Sequence, residues 1–200
     1  MRIDQASELL KPGYLPLETG YLRLEDGRLL AAVLNRVIGC NAEMILWWLK
    51  RRKSQDEFKR WHPAEHVSMD YRDGFTFAVH DRGGQRIEAR LEEQDPSVHF
   101  DAAKLANSDI SGISCSRGGP AGQDFWAMHV IHVMRDTDWG CEVKTRFWLG
   151  DIDPPKPQMT PEIRAAMFPD DMAEWQIRHA SEEYMYLAGF LPDLYQTEAK

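Results

Sequence analysis

Apolar segments separated by polar turn residues dominate the middle of the chain, from residue 66 to residue 150. The segments with this pattern are short, rich in β-branched and aromatic residues, and separated by turn-forming pairs such as Asp73-Gly74 and Gly83-Gly84. They are "HVSMDY", "GFTFAVH", "QRIEARLEE", "DFWAMHVIHVMRDT" and "CEVKTRFWLG". Short strands joined by hairpin turns pair with their neighbours in sequence. The pattern therefore predicts an antiparallel sheet.

A hairpin and a helix are predicted before this region. In "YLRLEDGRLLAAVLNRV" the Asp26-Gly27 pair separates two apolar runs, which is typical of a hairpin. The period then changes, and Asn41 is a residue type that often caps the start of a helix. We place this helix at about 42–53.

The terminal helix is the best-defined element of the sequence. Asp171 and Glu174 resemble a capping box at its start. Gly189 stands where glycine often ends a helix, and Pro192 is expected to prevent continuation. The predicted span is about 172–188. Strands bracketed by an early helix and a long terminal helix predict an α+β fold in which the sheet curls around the last helix.

Length and composition predict one globular domain spanning residues 1–200. With 43% hydrophobic and 28% charged residues, the chain resembles folded proteins rather than disordered ones. No apolar run approaches the ~20 residues that a membrane-spanning helix needs. The first residues also lack the features of a secretory signal. We therefore expect a cytoplasmic protein with no membrane partner.

Charge and cysteine content limit the possible partners and metal sites. The net charge of −8 argues against nucleic acid, whose binding depends on clustered Lys and Arg. We interpret the one basic run, residues 50–53, as complementing the C-terminal dipole of the first helix. Cys40, Cys115 and Cys141 are far apart and form no CxxC pair. Any metal would therefore have to be bound by His and carboxylate side chains.

One face of the predicted terminal helix combines two polar residues with apolar ones. Five residues make up this face, each within about 40° of the direction of His179: Met172, Trp175, His179, Glu183 and Tyr186. The apolar flanks indicate that His179 and Glu183 point into the protein, where each must be paired or bound to a metal. Their spacing lets both reach a single ion. The alternative is a His–Glu hydrogen bond that only holds the helix to the sheet.

Other histidines lie beside or within the predicted strands. In "WHPAEH" His62 and His66 flank a proline just before a strand. His62 could cap a short turn that sets His66 at the entrance of the strand, although a surface loop is the alternative. His129 and His132 point to opposite faces of their strand, so at most one can line an interior cavity.

The segment "RIEARLEEQ" offers carboxylates. Strand alternation places Glu88 and Glu92 on the face opposite to Ile87, Ala89 and Leu91. One glutamate of this segment could supply a metal ligand, and an exposed charged face is the alternative.

Three segments together resemble the 2,4-diacetylphloroglucinol hydrolase (phloretin hydrolase-like) family. They are "FKRWHPAEHVSMDY", "HVMRDTDWGCEVKTRFWLG" and "RHASEEYMYLAGFLPDLY", which span residues 58–195 in the order of the family. WHPxxH and HxxxE are the most specific motifs. The resemblance implies a Bet v 1-like helix-grip fold, in which a curved antiparallel sheet wraps a long C-terminal helix and leaves a deep cavity. By analogy, it also implies a possible homodimer.

The resemblance further implies a zinc ion held by two His and two Glu. The HxxxE motif carries two of these ligands over to His179 and Glu183. The other histidine ligand falls in WHPxxH, where we prefer His66 and keep His62 as the alternative.

The remaining implied ligand is a glutamate of an early strand, where the match to the family is loose. We assign it to Glu92, with Glu88 and Glu93 as alternatives.

Members of this family hydrolyse the carbon–carbon bond between an acyl group and a phenolic ring. The resemblance therefore implies a zinc-dependent hydrolase whose substrate is a small aromatic ketone. Zinc could polarise the acyl carbonyl or lower the pKa of water. Because the departing ring carbon needs a proton, we take His132 as the first candidate for the general acid and His62 as a second catalytic candidate. A histidine that only packs within its strand is the alternative for His132.

Four aromatic residues could form apolar walls for such a substrate: Trp47, Trp126, Trp175 and Tyr186. Aromatic residues at these spacings also fit an ordinary core. The alternative function is a non-catalytic helix-grip binding protein, or a cyclase-like module, that holds an apolar small molecule.

Overall fold

The computed structural model describes residues 1–199. Eight strands form one antiparallel sheet with the order β1-β2-β8-β7-β6-β5-β4-β3. The strands are β1 Gly20–Arg23, β2 Leu29–Ile38, β3 His66–Arg72, β4 Phe75–Arg82, β5 Gln85–Gln94, β6 Gly112–Pro120, β7 Trp126–Thr137 and β8 Gly140–Asp153. The prediction of an antiparallel sheet over residues 66–150 is confirmed.

Helices precede, interrupt and follow the strands. The α-helices are α1 Ala42–Lys50, α2 Gln55–Trp61, α3 Ala102–Ala106, α4 Pro161–Met167, α5 Asp170–Ala188 and α6 Leu191–Glu198. Two 3₁₀ segments, Ile3–Leu10 and Pro96–Val98, complete the described chain.

The long helix α5 packs across the concave face of the curved sheet. Alternate residues of β2, β7 and β8 point toward it, and Ala173 and Ala180 are the small helix residues in this contact. The other face of the same strands is covered by the N-terminal 3₁₀ segment, where Trp148 is completely buried. This α+β arrangement confirms the predicted helix-grip fold.

The first helix ends earlier than the sequence predicts. Asn41 is its N-cap, as expected, because its side chain accepts a hydrogen bond from the Met44 amide at 2.9 Å. The helix stops at Lys50, however, since Ser54 and Glu57 form a capping box that starts α2 as a separate helix. The prediction of one helix over 42–53 is therefore wrong at its C-terminal end.

The start of α5 also differs from the prediction. The N-cap is Pro169, and Asp171 lies inside the first turn, where its carboxylate pairs with Arg82 at 2.7 Å. The predicted capping box is therefore wrong. Gly189 is the C-cap as expected, but Pro192 lies in the first turn of α6 rather than ending all helical structure.

The hairpin of β3 and β4 has an irregularity that matters for the site. Its turn residues Asp73 and Gly74 have φ angles of 54° and 83°, the combination that a tight hairpin turn requires. The register is regular from Arg72 back to Ser68, then shifts so that His66 lies opposite His80. This β-bulge brings two histidines together across the strands.

Within the described residues, every helix is too short or too polar to cross a membrane.

Candidate metal centre and adjoining cavity

Four side chains converge where the start of β3 and the end of β4 meet α5. Nitrogen atoms of His66, His80 and His179 lie within 4.8 Å of one another. Glu183 Oε1 lies 3.1 Å from His66 Nε2 and 3.4 Å from His179 Nε2. The corners of a tetrahedron with ~2.1 Å bonds are about 3.4 Å apart, so this cluster could hold a metal ion.

The hydrogen bonding of His66 leaves one nitrogen available to a metal. His66 Nδ1 lies 2.7 Å from the carbonyl oxygen of Phe58, which can only accept, so Nδ1 carries the proton. His66 Nε2 is then a buried lone-pair atom that has no proton to donate to Glu183 Oε1, 3.1 Å away, and its hydrogen bonding is unsatisfied among the described residues. An unpaired buried nitrogen costs stability unless something binds it. This atom fits a metal ligand.

His179 is oriented in the same way by a carboxylate. Its Nδ1 lies 2.7 Å from Glu65 Oε2, while its Nε2 points toward Glu183. Glu65 is itself fixed, because Trp175 Nε1 donates to it at 2.9 Å and Arg178 Nη2 donates at 2.5 Å. A carboxylate behind a histidine is the usual support of a metal-binding imidazole.

The electrostatics of the cluster follow from burial and from the two carboxylates. Burial would raise the pKa of Glu183, but His179 and His66 hold it well below its usual range. Burial would lower the pKa of His179, but Glu183 and Glu65 together raise it to about 9. Burial and the neighbouring histidines lower the pKa of His80 to about 3, so its lone pair is free at neutral pH.

His62 lies directly behind this cluster. It is the C-cap of α2, and a turn in which the His66 amide donates to the His62 carbonyl at 2.9 Å sets His66 at the entrance of β3. Its ring stacks on His179 with centroids 4.6 Å apart, and its Nε2 lies 3.0 Å from Glu182 Oε2. Together with Glu65 and His179 it forms a second group of possible ligands. Because Glu65 already supports His179, this second group fits a supporting role.

A cavity of about 430 Å³ opens between α5 and the sheet beside the cluster. His80, His179 and Glu183 belong to its wall, and most of the remaining wall is apolar. The apolar wall includes Leu91, Met128, Val130, Phe147, Leu149 and Trp175. Such a cavity, with a few convergent polar groups, is typical of a small-molecule site.

His132 also lines the cavity. Its Nδ1 lies 2.9 Å from Thr145 Oγ1 and 3.0 Å from the Tyr184 hydroxyl. A hydroxyl that donates to Nδ1 leaves the ring proton on Nε2. Burial lowers the pKa of His132 to about 4, so the ring is neutral at pH 7.

The structure does not bring Glu92 to the cluster, so its assignment as a ligand is corrected. Its carboxylate forms an ion pair with Arg117 of β6. The cavity wall includes Ile87, Glu88, Ala89, Leu91 and Glu93 of β5 but not Glu92, which strand alternation from Leu91 directs to the other face.

The alternatives Glu88 and Glu93 do not join the cluster either. Both are half-exposed, and they pair with Arg72 at 3.8 Å and with Lys50 at 3.9 Å. Among the described residues, neither belongs to a group that could hold a metal.

Only Trp175 of the four predicted wall aromatics lines the cavity. Trp47 packs on Tyr195 with ring centroids 5.3 Å apart. Trp126 packs on Arg90 and Arg117, on the outer face of the sheet. Tyr186 is 37% exposed near the end of α5. The assignment of Trp47, Trp126 and Tyr186 to the cavity wall is therefore wrong, because these rings lie elsewhere in the structure.

Sequence reasoning missed His80 and Glu65. His80 ends the segment "GFTFAVH", whose pattern predicts a strand and carries no metal-binding motif. Glu65 lies inside "WHPAEH" itself. A carboxylate one residue before a candidate ligand histidine was an available signal, since metal-binding imidazoles commonly have such partners.

Comparison with known proteins places this geometry in context. A family model described as "DAPG hydrolase PhiG domain" matches residues 1–196. Two relatives, from Pseudomonas sp. and Pseudomonas protegens, are both named 2,4-diacetylphloroglucinol hydrolase. Each is 24% identical over 229 residues, which covers 97% of this chain and 76% or 73% of the relative.

Among solved structures, the crystal structure of Ara h 8.0201 is similar with a TM-score of 0.51. The match has 10% identity and covers 84% of this chain and 99% of that chain. At this identity the likeness concerns the fold alone.

Proposed function

The chain belongs to the DAPG hydrolase family, and on that premise we propose that it is a zinc-dependent hydrolase of acyl-substituted phenols. It cleaves the carbon–carbon bond between the acyl group and the ring. The observation that carries the proposal is the cluster of three His and one Glu on the wall of a largely apolar cavity. The names of the two relatives support a diacetylphloroglucinol as the substrate. A binding protein would not need such a cluster, and the family does not favour that alternative.

Zinc would be held by His66, His80, His179 and Glu183. Bound there, it supplies Lewis-acid chemistry, polarising an acyl carbonyl and lowering the pKa of water toward 7. The ligand set differs from the two His and two Glu that the family resemblance implied. Because His80 is neutral, the set carries one negative charge instead of two. It therefore leaves more of the positive charge of the ion uncompensated.

The reaction consumes one water and moves one proton. Hydroxide adds to the acyl carbon, the bond to the ring carbon breaks, and the ring carbon takes a proton, which leaves a carboxylic acid and the deacylated phenol. We assign delivery of that proton to His132, which gives its Nε2 proton to the ring carbon as Nδ1 takes the hydroxyl proton of Tyr184. The proton released when water becomes hydroxide then restores the hydroxyl, while Thr145 helps to fix the imidazole through Nδ1. His62 is assigned a supporting role behind His179 instead of a catalytic one.

The apolar wall of the cavity orients the ring and excludes water from it. Trp175, Phe147 and Met128 offer surfaces against which a flat ring can pack. Exclusion of water strengthens every electrostatic interaction with the acyl group.

We further propose that residues 1–200 form a single domain, which the family match over residues 1–196 supports.

The proposal predicts about one zinc per chain and hydrolysis of 2,4-diacetylphloroglucinol. Elemental analysis of purified protein measures the metal, and chromatography of the products measures the reaction. Dialysis against a chelator should abolish turnover, and added zinc should restore it. Protein that holds no zinc and takes up none on titration would contradict the metal assignment. Zinc-loaded protein inactive on all acylphloroglucinols would contradict the substrate class.

Replacing Glu65 by glutamine should lower zinc affinity by about 10- to 100-fold, since an amide supports the His179 imidazole less well than a carboxylate. Competition with a chromophoric chelator measures this affinity. Glu182→Gln is the matched control, because Glu182 is also an acid near His62 but does not contact His179 Nδ1. Equal affinities of the two variants would show that Glu65 does not support the metal.

A further inference from the structure

Lys53 is a buried cation in the wall of the cavity. It follows α1, and only 9% of its surface is exposed. Its Nζ lies 3.1 Å from the carbonyl oxygen of Arg51 and 3.4 Å from that of Leu49. The rings of Trp48 and Trp61 lie 5.1 Å and 5.4 Å from the same atom. These contacts hold the ammonium group at a defined place.

The ammonium group has no negative partner among residues 1–199. Lys53 Nζ forms no ion pair in this part of the chain, although buried charges are normally paired, and the charges of Glu183, Glu57 and Glu93 act on it only at longer range. Two carbonyls use two of its three N–H donors, and one donor is left. Burial, and then the charge of Arg51, lowers the pKa of Lys53 to about 8, so the group is still mostly charged at pH 7. A cavity ligand could supply the missing anion.

A second depression, of about 230 Å³, borders the cavity on the same side. It shares Lys50 and Tyr71 with the cavity wall and adds Arg52 and Arg72, against the acids Asp73 and Glu93. Lys50 is paired with Glu93, and Arg72 with Asp70 and Glu88, so Arg52 is the cation of this depression that forms no ion pair among residues 1–199. With Lys53 it places uncompensated positive charge on this side of a protein whose net charge is −8. The basic run at residues 50–53 therefore does more than complement the dipole of α1. It also supplies positive charge beside the cavity.

We propose that Lys53 binds an ionised ring hydroxyl of the substrate, so that the cavity selects acidic phenols as their phenolates. This inference rests on the proposed function, since it concerns the substrate class of the same cavity. An acyl group conjugated with a ring hydroxyl spreads the charge of the phenolate and makes the hydroxyl acidic. A flat anion with a single charged edge matches a largely apolar wall with one unpaired cation.

The test uses two probes that cannot undergo acyl cleavage, 4-nitrophenol and its methyl ether 4-nitroanisole. Their sizes are similar, but only the first can ionise. Binding to purified zinc-containing protein is measured by calorimetry, and the visible absorption of the phenolate reports ionisation. We expect tighter binding of 4-nitrophenol and an excess of phenolate in the complex. Lys53→Met should reduce this preference by about 10- to 100-fold.

Lys59→Met is the matched control, since Lys59 is exposed on α2 and should leave the preference unchanged. Lys53→Arg should retain the preference, because it retains the charge. A folded Lys53→Met protein with the wild-type preference would overturn the proposal. If that variant fails to fold, an absence of excess phenolate in the wild-type complex overturns it equally. Because neither probe is hydrolysed, failure here leaves the proposed reaction untouched.

Discussion

Replacement of His179 by alanine should yield a protein that contains no zinc after purification. Its rate of 2,4-diacetylphloroglucinol hydrolysis should fall by about a thousandfold or more. His179 contributes one of four donor atoms, and it links the cluster to Glu65. Its loss leaves an incomplete ligand set that cannot retain the ion at ordinary dilution. The fold should persist, because Glu65 keeps its bonds to Trp175 and Arg178.

Zinc content by elemental analysis and the rate of 2,4-diacetylphloroglucinol hydrolysis measure this effect. His99→Ala is the control, since it removes another histidine, a half-buried one that contacts Gln94 and His129 outside the cavity. The control should keep both its zinc and its rate. A His179→Ala protein with a full complement of zinc would exclude this residue from the metal site.

The fold was predictable because its signals are local and repeated. Strand alternation and glycine-containing turns recur along residues 66–150, and the terminal helix has a clear apolar face. The errors lie at helix boundaries, where tertiary contacts compete with local preference. At the start of α5, Arg82 of a distant strand engages Asp171, which the local pattern assigned to capping.

Strand alternation could also have excluded Glu92 without a structure. Once Ile87, Ala89 and Leu91 are expected to face the interior, Glu92 must face outward. The loose family match points to Glu92 instead, but the ion pair of Glu92 with Arg117 agrees with the strand alternation.

The position of His80 could not be derived from the sequence, because it depends on a β-bulge. A regular hairpin around Asp73-Gly74 would place Val67 opposite His80, with His66 out of register by one residue. The bulge between His66 and Ser68 shifts the register, so the two histidine rings lie 5.1 Å apart. Bulges are frequent near functional sites, but sequence alone does not locate them.

Replacing His80 by alanine should remove bound zinc and lower the hydrolytic rate by a factor comparable to that of the His179 variant. Glu92→Gln should leave both quantities unchanged, because its partner Arg117 lies on the outer face of the sheet. The two variants therefore test whether the structure or the loose family match identifies the fourth ligand. Elemental analysis and product chromatography decide the question.

The reverse outcome, with zinc lost from Glu92→Gln and retained by His80→Ala, would require a cavity-facing Glu92 and a different register of β5.

The variant His80→Glu tests how the net charge of the ligand set affects the rate. It restores the two-His, two-Glu set that the family resemblance implied, so zinc should be retained. The second carboxylate would offset more of the positive charge of the ion, so the rate should fall while binding persists. Zinc retention with an unchanged rate would show that the net charge of the ligand set does not limit the reaction.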